Sequence, residues 1–184
     1  MKSVQQIVLL LGMVLATAVS AQTKMSDKEM FDNGYVLTSK DIRFAPIPDR
    51  GDNNKISLYS IMNKGTETIV TFVQPIYFDS QWVSYGYGFQ IRDRKSGDIY
   101  KVRGYEGDLP MNRLLIVKGC NQKNILISLR FPRLKNRVKV VDIIETPHEK
   151  DLIPSNNNGI RFKALGIKVK DYKKKELRQG RIYE

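Results

Sequence analysis

Residue types that could do chemistry are sparse in this sequence. A single histidine, His148, stands in the polar stretch TPHEKD, and a single cysteine, Cys120, in KGCNQKN. Any Ser-His-Asp or Cys-His system must use His148, and no G-x-S-x-G or comparable nucleophile turn accompanies it. One histidine and one cysteine do not complete a usual zinc ligand set. Three close carboxylate pairs have the types needed for a general acid and base: Asp93 with Asp98, Glu106 with Asp108, and Asp142 with Glu145. Nothing in the sequence sets them in a cleft, and turn or strand-edge roles account for them. No phosphate-cradling or dinucleotide-binding glycine motif is present. The sequence therefore predicts no catalytic residue, no metal, no cofactor and no enzymatic activity. A carboxylate-dependent hydrolase is the reading left if an acidic pair converges in a concave site.

Binding chemistry has more material. The formal net charge is +12, which favours anionic partners. Basic residues cluster late: Arg161, Lys163, Lys168 and Lys170, then Lys173 to Lys175, Arg178 and Arg181. Aromatics are not interleaved with them as single-strand nucleic-acid binders require, so nucleic acid is not the expected partner. A solvated edge that discourages sheet pairing is the structural alternative. The stretch PDRGDNN carries Arg50-Gly51-Asp52, an integrin-type tripeptide, but its composition is that of a turn.

The densest aromatic run is YFDSQWVSYGYGF, Tyr77 to Phe89, with the only tryptophan, Trp82. In a continuous strand, Val83, Tyr85, Tyr87, Phe89 and Ile91 share one face, as core. Trp82, Ser84, Gly86 and Gly88 share the other. The indole then either lies across the two glycines under a loop or stands exposed as a stacking surface. Contact candidates are Trp82, Tyr105, Arg92, Lys101 and Arg103.

The elements that must position these residues read as strands. KISLYSIM, TIVTFVQPIYF, QWVSYGYGFQIRD, IYKVRG, NRLLIVKG, NILISLRF, VKVVDIIE and GIRFKALGIKVKDY alternate in polarity and are separated by turn chemistry. Asn63-Lys64-Gly65 joins the first two, and DRKSGD is a hairpin loop with Gly97 suited to positive φ. Pro75 marks a strand end, edge or bulge. Pro147 and Pro154 bracket a linker. Seven to nine short strands without an amphipathic helix predict an all-β fold, an antiparallel immunoglobulin-like sandwich, with a small barrel as the alternative.

The first residues, MKSVQQIVLLLGMVLATAVSAQT, read as a secretory signal: Lys2, an apolar run from Ile7 to Val14, and a cleavage site at Val19-Ser20-Ala21. The expected divisions are a signal over 1–21, a lead-in with one potential strand over 22–54, a sandwich over 55–172 and a basic tail over 173–184. The chain is expected to be exported, to the periplasm or beyond, with no transmembrane segment. A lone thiol excludes an internal disulfide framework. Cys120 is either a small residue at a strand end or the means of an intermolecular bridge, and hence of a dimer.

GTETIVTF, Trp82, RDRKSGDIYKVRG, EGDLPMN and ISLRFPRLKNRVKVVDIIE together resemble a β-sandwich module of exported proteins of Bacteroidota. The ending carries most of the likeness: Phe131-Pro132-x-Leu134, a basic spacer, then Asp142-Ile143-Ile144-Glu145. The resemblance spans roughly Lys55 to Glu145 and implies an envelope or extracellular accessory domain without catalytic residues to carry over. The expected function is a non-catalytic envelope module that binds a protein partner or an anionic glycan. A fimbrial or adhesin-like subunit assembling by strand addition is the alternative.

Overall fold

The structure, a computed structural model, describes residues 26–45, 56–153 and 162–173. The signal segment, Arg50-Gly51-Asp52, Arg161 and the tail beyond Lys173 lie outside the described residues.

Twelve strands, one short α-helix and one 3-10 helix (Val169–Tyr172) are described. The lead-in holds more than one strand: helix α1 (Asp27–Asp32), β1 (Tyr35–Leu37) and β2 (Arg43–Phe44). The helix starts in a capping box, in which Ser26 Oγ accepts from Glu29 N–H while the Glu29 carboxylate accepts from Ser26 N–H. Then follow β3 (Ser57–Lys64), β4 (Glu67–Ile76), β5 (Ser80–Val83), β6 (Phe89–Asp93), β7 (Ile99–Lys101) and β8 (Gly104–Tyr105). The chain continues as β9 (Leu115–Lys118), β10 (Lys123–Pro132), β11 (Val140–Glu145) and β12 (Lys163–Lys168). Gly65 and Gly97 take the positive φ values their turns require, 55° and 76°.

The strands form an all-β sandwich, and no sheet closes into a barrel. One layer has the order β2-β10-β4-β3, with β8 also on β10. The facing layer is β12-β11-β6-β7, and a three-stranded sheet, β1-β9-β5, flanks them. Pairing is antiparallel except between β1 and β9, which run parallel. Alternation makes the core. Val70 and Phe72 of β4 lie opposite Leu129 and Ile127 of β10, and Ile91 of β6 lies opposite Ile143 of β11. The layers meet at Phe72, whose ring centroid is 5.4 Å from Phe89 and 5.2 Å from Phe162. Pro75 sits past the last residue of β4 that β3 pairs, so its missing N–H costs no ladder bond.

The aromatic run is not one strand. It ends β5 at Val83, leaves the flanking sheet, and enters the sandwich as β6 at Phe89. In between, three successive amides leave the ladder for buried or partly buried side chains. Tyr85 N–H donates to the Tyr105 hydroxyl (2.9 Å), Gly86 N–H to Glu145 Oε1 (3.2 Å) and Tyr87 N–H to Asp151 Oδ1 (2.9 Å). Val83, Tyr85, Phe89 and Ile91 are core as expected, but Tyr87 is half-buried and lies against His148, ring centroids 5.8 Å apart.

The segment after Pro147 is likewise not a free linker. Thr146 to Asp151 straps the crossing. Thr146 N–H and Oγ1 both donate to Gly88 O (3.1 and 3.2 Å), and Asp151 Oδ2 accepts from His148 N–H (2.9 Å). A Cβ on Gly88 would overlap Thr146 O, and one on Gly86 would overlap the Asp151 carboxylate. The glycines therefore make room for this strap, not for the Trp82 indole.

Two substitutions test the crossing. Gly88→Ala forces the strap off the backbone and is expected to lower unfolding stability by about 3 kcal/mol. Tyr105→Phe keeps the ring and strands the buried Tyr85 N–H, at a cost of about 1–3 kcal/mol. Urea denaturation of both variants against the parent measures each.

Candidate functional site

The five contact candidates do not converge. Tyr105 is corrected outright: it is 1% exposed, its hydroxyl holds the Tyr85 amide, and burial pushes its pKa upward, so it has no surface to offer a ligand. Arg103 is exposed beside Glu67, 3.8 Å away. Arg92 and Lys101 stand exposed on the outer face of β6 and β7. Trp82 belongs to β5, in the flanking sheet, and is 48% exposed.

Trp82 is one side of an open aromatic cleft. After Pro75 the chain turns with Tyr77 and Phe78 outward, 42% and 66% exposed, and returns along β5. The cleft, about 560 Å³, lies between Ile56, Gln74 and the segment from Tyr77 to Ser84. That volume is within the range of small-ligand sites. Three large exposed aromatics at one turn are unusual for a surface that meets only water.

The turn is held, not loose. Gln81 Oε1 accepts from Tyr77 N–H (2.9 Å) and Gln81 Nε2 donates to Pro75 O (3.2 Å). Gly119 N–H donates to Asp79 O (2.9 Å), tying the turn to the end of β9. One glutamine thus clasps both sides of the turn and fixes the backbone from which the rings project.

The neighbouring face adds charge and apolar area. Across the flanking sheet Val36, Ile116 and Trp82 share one row, with Val36 exposed and Ile116 buried between it and Trp82, and Ser80 lies opposite Lys118 in register. Lys118 is exposed and sits on the same face as Trp82, two residues along by the strand period. Tyr77, Phe78, Gln81 and Lys118 were not among the contact candidates read from the sequence. The signal for the two aromatics is the turn after Pro75, which takes Tyr77 and Phe78 out of any strand face.

The residues suited to catalysis are engaged elsewhere. Asp93 Oδ2 accepts from Ser96 Oγ (2.7 Å) and Oδ1 from Lys95 N–H (3.0 Å), closing the hairpin loop. Asp98 pairs with Lys135 (2.9 Å) and Arg137 (3.4 Å). Glu106 lies between Arg43 (3.0 Å) and Lys64 (3.4 Å), and Asp108 is 3.8 Å from Arg130. Asp142 accepts from Gly166 N–H and Arg94 Nε, both at 2.7 Å, at a bulge where Gly166 has φ 67°. Asp142 and Glu145 occupy opposite faces of β11, the first outward and the second buried. His148 is exposed, and its Nδ1 accepts from Lys150 N–H (3.2 Å). Cys120 is fully buried, burial raises its pKa, and its thiol faces Lys118 O. An intermolecular bridge has no exposed sulfur to form from. Among the described residues no group of three His, Cys, Asp or Glu side chains is placed to hold a metal ion, and no helix is long and apolar enough to cross a membrane.

Comparison of the chain with protein-family models, with curated proteins and with solved structures found no match.

Three of these carboxylates set the acid limit of the fold. Hydrogen bonds from Ser96 lower Asp93 despite burial, and hydrogen bonds from Lys135 and Ser96 lower Asp98. Burial pushes Asp142 up, but the Gly166 amide and Arg94 more than offset it, leaving it lowered. A carboxylate lowered in the folded state contributes its full stability above the ordinary value of 3.8 and loses it as pH falls toward the folded pKa. Stability is thus expected to hold above about pH 5 and to fall steadily below about 4. Thermal unfolding midpoints measured from pH 7 down to 3 check this.

Proposed function

We propose that the protein is a non-catalytic binding module of the cell envelope whose ligand is a glycan carrying acidic groups. The single observation that carries the reading is the open aromatic cleft of Tyr77, Phe78 and Trp82. Flat rings stack on the apolar faces of sugar rings, and Ser80 and Ser84 supply hydroxyl groups in the same cleft. Lys118 supplies a cation on the Trp82 face for a carboxylate or sulfate. Asp79, in the same turn, works against an anion, so the acidic group would sit over Lys118 and not over the turn.

The engagement of each carboxylate pair in turns, ion pairs and backbone bonds supports the non-catalytic part of the reading. Export rests on the signal-like first residues and on the resemblance to exported β-sandwich modules. Strand addition is the weaker alternative. The longest edge strand, β3, carries a register shift between Leu58 and Ser60, and such an irregularity hinders pairing with another chain.

Trp82 is the only tryptophan, so its fluorescence reports on the cleft alone. Titration with oligogalacturonate is expected to shift the emission to the blue. In calorimetry Trp82→Ala is expected to weaken binding at least tenfold, from the loss of about 1.5–3 kcal/mol of stacking and burial. Lys118→Gln should weaken the acidic oligomer and leave a neutral one unchanged. Equal affinity of Trp82→Ala and parent would refute the reading.

A further inference from the structure

A second surface shares no residue with the aromatic cleft. It is the outer face of the sheet β12-β11-β6-β7. Register fixes what stands there. Lys101, Gln90, Ile144 and Lys163 form one row, and Ile99, Arg92 and Asp142 the next, with Leu165 and Gly166 of the bulge opposite Asp142. Lys168 lies opposite Val140 in the third row, next to Arg94, whose N–H donates to Val140 O (3.1 Å).

The charge on this face is one-sided. Arg92, Arg94, Lys101, Lys163 and Lys168 are exposed, and Asp142 is the one carboxylate among them. Asp142 is already engaged by Arg94 and the Gly166 amide. Among the described residues no ion pair involves Arg92, Lys101, Lys163 or Lys168. Like charges held side by side on a sheet repel, and an anionic partner relieves that repulsion.

The apolar residues decide which anion. Ile99, on the edge strand β7, is 54% exposed, and Leu165, on the opposite edge strand β12, is 46% exposed. No aromatic ring stands on this face among the described residues, so it lacks the stacking surface a sugar polymer uses. Cations interleaved with exposed aliphatic side chains match the headgroup boundary of a lipid leaflet, where phosphates meet the cations and branched side chains enter the acyl edge. We propose that this face docks the protein on an anionic phospholipid surface.

Co-sedimentation of the full chain with vesicles tests it, using phosphatidylglycerol mixed with phosphatidylcholine against phosphatidylcholine alone. Binding is expected only to the anionic vesicles. Each cation neutralised should weaken partitioning about fivefold, so Arg92→Gln, Lys101→Gln and Lys163→Gln together should cost about a hundredfold. Ile99→Ser should reduce the binding that persists at about 0.5 M salt, where charge attraction is screened. Lys173→Gln, Lys174→Gln and Lys175→Gln, in the basic tail, should have the smaller effect. Unchanged binding of the Arg92, Lys101 and Lys163 variant, a loss confined to the tail variant, or equal binding to neutral vesicles would overturn the proposal. Circular dichroism of each variant checks that a loss of binding is not a loss of fold, and Trp82→Ser should bind vesicles like the parent.

Discussion

Three consecutive backbone amides, those of Tyr85, Gly86 and Tyr87, set the terms for the rest of the molecule. The chain must cross there from the flanking sheet into the sandwich, and a crossing strand has no neighbour to bond with. A buried N–H without a partner costs about as much as a lost hydrogen bond, and usually more. Tyr105, Glu145 and Asp151 supply the three acceptors from three separate elements. Gly86 and Gly88 leave the space in which Asp151 and Thr146 approach. The end of β8, the end of β11 and the strap that follows it are therefore all fixed by one five-residue crossing, Ser84 to Gly88.

That crossing has a consequence at its near end. Because the chain leaves the flanking sheet after Val83, β5 remains a short edge strand with one solvated face. Trp82 is displayed on that face instead of being packed by a neighbouring strand. The turn before it is clasped by Gln81, so the backbone that carries Tyr77 and Phe78 is fixed beside it. A turn whose backbone is already ordered loses less freedom on binding a ligand, which favours affinity at an aromatic surface. The same economy applies to the charged residues: most acids are tied into turns or ion pairs, while Arg92, Lys101, Lys163 and Lys168 on the outer sheet face have no ion-pair partner among the described residues.

Much of the fold was legible in the residues themselves. The alternation of Ile125, Ile127, Leu129 and Phe131, the positive-φ glycines at 65 and 97, and the inward face of Phe89 and Ile91 depend on period and local turn chemistry, which a sequence displays. What was not legible is long-range. Alternation continues through Ser84 to Gly88 although the strand does not, because the acceptors that replace the ladder come from Tyr105, Glu145 and Asp151, far along the chain. Tyr105 resembled a surface aromatic since nothing local shows that its hydroxyl is needed twenty residues earlier. The short lead-in strands pair with β9 and β10, and two or three residues are too few to show a period. Trp82 was found by its rarity; its companions Tyr77 and Phe78 were hidden by the strand-like sequence that precedes them.

We propose that the surface around Trp82, not the sandwich faces at large, receives the ligand. Nuclear magnetic resonance of the isotopically labelled protein, titrated with an acidic oligosaccharide, tests it residue by residue. The Trp82 indole N–H and the amides from Tyr77 to Ser84 are expected to shift together with Lys118, while the crossing amides of Tyr85 to Tyr87 stay fixed. Shifts confined to the basic outer face, with the Trp82 indole unmoved, would contradict it.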